Sequence, residues 1–100
     1  MTLLDMHIND IRKLCSDYKV RQLYAFGSVL TTTFNNESDV DLVVDFDPME
    51  ISHYADNYFD FKFSLQKLLN RSIDLLEEKA IKNPYFREHL NQQRQLIYGH

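Results

Sequence analysis

Asp39 and Asp41 flank a single residue, Val40, and the positions after them alternate with apolar side chains at Leu42, Val44 and Phe46. On a strand, side chains two apart share a face and lie about 6.6–6.8 Å from each other. A strand over residues 39–46 therefore aims both carboxylates at one point, while Val40, Leu42, Val44 and Phe46 turn to a core. Two carboxylates so aimed repel each other unless a cation lies between them or one keeps its proton. Hard oxygen donors suit Mg²⁺, which is held by one or two carboxylates plus substrate phosphates. Upstream, with ten residues between, stands Gly27-Ser28. A glycine lets backbone approach a phosphate closely. A helix opening at Ser28 would point its unpaired N–H groups at a triphosphate tail. These residues point to a nucleotide-handling metal site.

The elements that must hold them can be read from the pattern. Leu4, Ile8, Ile11, Leu14, Cys15 and Tyr18 recur at three- and four-residue steps, which predicts an amphipathic helix over 2–18 with Thr2 as N-cap. Residues 20–26 read as a buried strand ending at the Gly27-Ser28 turn, and 28–33 as the opening of a short helix. The second strand, 39–46, stops at Asp47-Pro48, because proline lacks the ladder donor. The longest helix spans 51–70, with Tyr54, Tyr58, Phe61, Leu65, Leu68 and Leu69 along one stripe. A third strand over 72–76 and a helix over 84–97, with Pro84 in its first turn, complete the order. Such alternation gives an α/β fold, a small sheet covered by helices. The link between the first two strands allows parallel or antiparallel pairing.

The stretch from Phe26-Gly27-Ser28 to Asp39-Val40-Asp41-Leu42-Val43-Val44 resembles the signature of the polymerase beta-like nucleotidyltransferase superfamily. The short chain is similar to the minimal nucleotidyltransferases, the MNT-type antitoxins paired with HEPN-domain toxins. Arg71-Ser72-Ile73-Asp74-Leu75-Leu76 is similar to the strand that carries this family's third carboxylate. The part from Lys82-Asn83-Pro84 to Ile97-Tyr98 resembles its C-terminal region. The resemblance implies a mixed sheet and a single nucleotidyltransferase domain over 1–100. It implies ATP as substrate, with two Mg²⁺ ions held by Asp39, Asp41 and Asp74. Asp74 would also activate the nucleophile, and Gly27 and Ser28 would contact the nucleotide. It further implies transfer of AMP to a tyrosine of a HEPN ribonuclease toxin, in a hetero-oligomer with that toxin. Two metals about 3.5–4 Å apart suit this reaction. Asp74 could join them if its strand pairs with the second, with Ile73 and Leu75 turned to the core. The stretch after Gly27-Ser28, Val29 to Phe34, lacks the arginine that many members carry, which predicts weaker nucleotide binding.

Composition bounds the alternatives. The formal net charge of −4 argues against direct nucleic-acid binding. The lone Cys15 excludes an internal disulfide and a cysteine zinc site, and reads as a small buried hydrophobe. No apolar run approaches ~18 residues and no signal peptide is evident, so a cytoplasmic location is expected. Asp45, about 13 Å beyond Asp41 on the same side, reads as rim or solvent. Lys79, Lys82 and Arg87 read as solvated surface, and His7, His53, His89 and His100 as incidental. Phe59 and Phe63 fall off the buried stripe, which fits either a protein partner or a helix buried on two sides in its own fold. A small-molecule, aminoglycoside-type nucleotidyltransferase and an antitoxin acting by binding alone are the other two functions compatible with these residues.

Overall fold

The computed structural model describes residues 3–27 and 39–99. Its elements are α1 (Leu3–Met6), α2 (Ile8–Asp17), β1 (Val20–Phe26), β2 (Val40–Phe46), α3 (Ile51–Leu69), β3 (Ile73–Glu77), α4 (Pro84–Gln93) and β4 (Gln95–Tyr98). The sheet runs β3-β2-β1-β4, with β1 antiparallel to both β2 and β4, and β2 parallel to β3. That is the mixed sheet expected.

The apolar face of each strand is the one the alternation predicts. Leu23 and Ala25 of β1, Val40, Leu42, Val44 and Phe46 of β2, and Ile73 and Leu75 of β3 are buried in one cluster. Ile11 and Cys15 of α2 join it with Phe61, Leu65 and Leu69 of α3. Each fully buried side chain of this size contributes about 1.5–3 kcal/mol. Phe61 sits at the centre, its ring edge-on to Phe46 at 5.8 Å and tilted against Tyr18 at 6.0 Å. Burial alone pushes the Cys15 thiol up to about 12, in keeping with its role as a small hydrophobe.

Two helical expectations need correction. Residues 2–18 do not form one helix, because His7 leaves helical geometry (φ −119°, ψ 17°) and separates α1 from α2. The C-terminal helix does not reach Ile97. It ends at Gln93, Arg94 turns extended (ψ 146°), and Gln95–Tyr98 pairs with β1 as a fourth strand. Leu90 and Ile97 lie seven apart and so mimic a helical stripe. The open ladder of β1 outcompetes that local pattern. The start of α4 is fixed by Asn83, whose side chain accepts from the N–H groups of Tyr85 and Phe86 at 2.9 and 3.2 Å. α3 ends at Asn70 in left-handed geometry (φ 53°). Thr2 and the segment 28–33 lie outside the described residues.

The second face of the sheet is built differently. Val43 and Leu90 are buried but outside the main cluster. α4 lies over this face, with Phe86 edge-on to Phe26 at 6.5 Å. The Arg94 guanidinium rests 4.0 Å above the Tyr24 ring.

Candidate active site

Register brings the carboxylates together. Phe26 of β1, Asp41 of β2 and Asp74 of β3 form one row across three strands. Directly opposed residues share a face, and neighbouring strands lie about 4.8 Å apart. Asp39 immediately precedes β2 and lies two residues before Asp41. The three positions thus occupy one end of the sheet, on the face away from the main core. Ile73 and Leu75 are buried on the other face, while Asp39 and Asp74 are exposed and Asp41 is half-buried.

Gly27 closes against this row. Its φ is +74°, a geometry that L side chains rarely adopt. A Cβ there would lie 2.7 Å from Asp41 Oδ2, so a larger residue would have to displace that carboxylate as well as hold a strained conformation. The Asp41 carboxylate thus fills the space beside Gly27 that a side chain would take. Ser28, the other residue expected to contact the nucleotide, lies outside the described residues, as does the arginine-free stretch that follows it.

Electrostatics sets Asp41 apart. Burial pushes its carboxyl above the usual range, and the charges of Asp74 and then Asp39 push it further. Every neighbour recorded as acting on it disfavours its charge. Among the described residues, no three such side chains stand close enough together to hold one metal ion as they are.

Other residues differ from expectation. Asp45 is not on the rim. Its side chain is only 12% exposed, and it pairs with Arg21 at 3.8 Å. Its Oδ1 is buried without a hydrogen-bond partner among the described residues. Arg87 is not solvated surface either, because it binds Glu78 at 2.6 Å and donates to the carbonyls of Glu78 and Ile81. Arg94 adds a second bond to Glu78 at 3.0 Å. Burial alone would raise the Glu78 carboxyl, but the hydrogen bond from Arg87 and the charges of Arg94 and Arg87 hold it below the usual range. The i, i+9 and i, i+16 spacings of this node follow no helical or strand period, so the sequence offered no local signal for it. Lys79 and Lys82 are exposed, as expected. His7 is half-buried at the helix break, and His53 and His89 are exposed. His100 lies outside the described residues.

Comparison with known proteins fits this geometry. Residues 9–100 match the family model "Polymerase beta, Nucleotidyltransferase". The chain belongs to the polymerase beta nucleotidyltransferase family. Two relatives from Methanocaldococcus jannaschii are each named a protein adenylyltransferase. One is 33% identical over 88 residues, covering 87% of this chain and 85% of the relative. The other is 35% identical over 81 residues, covering 81% and 78%. A solved structure described as a minimal nucleotidyltransferase superposes with a TM-score of 0.78 at 25% identity, covering 95% of each chain. A toxin–antitoxin structure with AMP-PNP shares the fold (TM-score 0.72, 23% identity, 93% of this chain and 73% of that one). So does a complex of tri-AMPylated Shewanella oneidensis HEPN toxin with MNT antitoxin (TM-score 0.66, 21% identity, 96% and 72%). Among the described residues, no helix of this nucleotidyltransferase is long and apolar enough to cross a membrane.

Proposed function

We propose that this nucleotidyltransferase is a protein adenylyltransferase antitoxin, which transfers AMP from ATP to a tyrosine of a cognate HEPN-domain toxin and so neutralises it. The observation that carries the reading is the row Phe26–Asp41–Asp74, with Asp39 beside it and the Gly27 backbone against Asp41. The relatives named as adenylyltransferases support the reaction. The fold neighbours in which an MNT antitoxin accompanies a HEPN toxin support the partner.

The donor set fits a divalent cation. It is all oxygen and anionic, and Asp41 is raised by burial and by two like charges. Asp39, Asp41 and Asp74 would hold Mg²⁺, which when bound supplies charge neutralisation at the phosphates. The residues of the chain do the rest. Gly27, and Ser28 after it, would carry the triphosphate tail over the end of β1, since no Cβ blocks the approach. The tyrosine oxygen attacks the α-phosphorus of ATP, the bond from that phosphorus to the bridging oxygen breaks, and pyrophosphate leaves. A phenol with an ordinary pKa near 10 keeps its proton at neutral pH, so a base must take it. Asp74, exposed at the outer strand of the row, is that base.

Intact mass spectrometry of a HEPN toxin co-expressed with this chain tests the reading. The expected result is mass increments of one AMP each, absent when Asp41 is replaced by alanine. An unmodified toxin that is nevertheless inhibited would leave binding alone as the mechanism.

A further inference from the structure

Between β3 and the start of α4 lies a cleft that the carboxylate row does not use. Its volume is about 410 Å³, and Leu76, Ala80, Ile81 and Phe86 give it a mostly apolar lining. Sites for small ligands are of this size and character. Leu76 stands two residues beyond Asp74 on β3, so the two share a face and lie one strand step, about 6.8 Å, apart. Phe86 reaches the same face from α4. It meets the ring of Phe26, itself a member of the carboxylate row, edge-on at 6.5 Å. The cleft therefore opens beside the row, on the face that carries it.

Hydrogen bonds brace its walls. Arg87 donates to the carbonyls of Glu78 and Ile81, and Asn83 caps the first turn of α4. Phe86 nevertheless keeps 38% of its surface exposed. The polar groups around the cleft do not suit an ion. The Glu77 carboxylate is turned towards α3, where it accepts from the Tyr54 hydroxyl at 2.7 Å. The Asn83 side-chain oxygen already accepts from the N–H groups of Tyr85 and Phe86. Lys82 is exposed, and a single exposed ammonium holds an anion only weakly. What fits is a flat group with little charge.

The proposed reaction says which group that is. Phosphoryl transfer sets the attacking and leaving oxygens roughly in line through the phosphorus. With the triphosphate tail over Gly27 at the end of β1 and the acceptor beside Asp74 on β3, that line runs across the strands. The nucleoside leaves the α-phosphorus at an angle to it, along the strands. One direction runs past Asp39 and off the end of β2, and the other enters the cleft.

We infer that the adenine base of ATP lies in this cleft, stacked on Phe86 and packed against Leu76 and Ile81. The inference rests on the proposed adenylyl transfer and adds the nucleoside subsite to it. An aromatic ring holds a base by its faces, which needs no free polar group in the wall.

Methyl NMR of the intact chain reads the subsite directly. A non-hydrolysable ATP analogue with Mg²⁺ should shift the methyl resonances of Leu76 and Ile81 through the ring current of the base. Inorganic tripolyphosphate with Mg²⁺ has no base and should leave them in place. Phe86→Ala should weaken binding of the analogue about 10-fold or more and leave the affinity for tripolyphosphate unchanged. Its transfer rate should recover at saturating ATP, as the loss of uniform binding requires. Unshifted Leu76 and Ile81 at saturating analogue, or shifts that tripolyphosphate reproduces, overturn the inference. Wild-type analogue affinity in a folded Phe86→Ala variant does so too. If that variant does not fold, Phe86→Leu, which keeps an apolar contact with Phe26 but offers no ring, takes its place. Failure of the proposed reaction looks different, because the base would then shift both residues while the toxin acquired no AMP. A chain that binds neither the analogue nor tripolyphosphate overturns both.

Discussion

Asp41 and Glu78 are both carboxylates drawn partly out of water, and burial pushes both towards the neutral form. Their neighbours send them opposite ways. Asp74 and Asp39 raise Asp41 further, whereas Arg87 and Arg94 bring Glu78 below the usual range. Glu78 is thus satisfied by the fold, joining the turn after β3 to α4 and its end. Asp41 has no opposite charge acting on it among the described residues. A partly buried carboxylate met by its opposite is held by the fold, and one surrounded by its like is a candidate for function.

The largest effect that could break this comparison is on transfer. Asp41→Ala should lower AMP transfer about 100-fold or more, since the several kcal/mol of charge stabilisation at the phosphates goes with it. Its circular dichroism should remain native. A variant that stays active assigns the charge cluster no catalytic role. Next in size is the Glu78→Ala variant, which strands two arginines and should cost about 1–2 kcal/mol of unfolding free energy. Urea denaturation measures this. The loss should be full above the ordinary carboxylate range and fade as pH falls through it towards the lower folded value, where wild-type Glu78 is itself protonated. The smallest effect has the opposite sign. Because the folded state raises Asp41, its ionised form opposes folding at neutral pH. Asp41→Asn should stabilise the protein, by no more than about 1 kcal/mol given solvent screening. That gain should vanish in acid, once wild-type Asp41 carries its own proton. Added Mg²⁺ should raise the melting temperature of the wild type and not of this variant. An equal rise in both would move the ion to another site.

The strand-borne part of the site was legible because a period of two carries its own geometry. Asp41, Ile73 and Leu75 could be assigned faces from alternation alone, and those faces are the ones the sheet uses. Register was not legible. That Asp41 opposes Asp74 follows from the parallel pairing of β2 with β3, which no local pattern states. The same blindness hid β4, whose residues continue a helical spacing until the free ladder of β1 captures them. It hid the Glu78 node too, because arginines at positions 87 and 94 find their carboxylate only after α4 has folded back. Asp45 misled for a related reason. Distance along β2 placed it away from the metal site, but nothing in that distance revealed Arg21 beside it on β1.

The pairing of β4 with β1 also bears on how the chain comes to be folded. β1 belongs to the first third of the sequence and β4 to its last few residues, so the ladder between them is among the most non-local in the molecule. Non-local pairings form late, because the loop entropy must be overcome before the contact rewards it. Until then the outer edge of β1 is bare, and Arg94 cannot settle over Tyr24. A nascent chain can bury the α2–α3 side of the sheet before the other side has its cover. A chain cut short before Gln95 would leave the outer edge of β1 bare and would take Ile97 and Tyr98 away from the side of the main core.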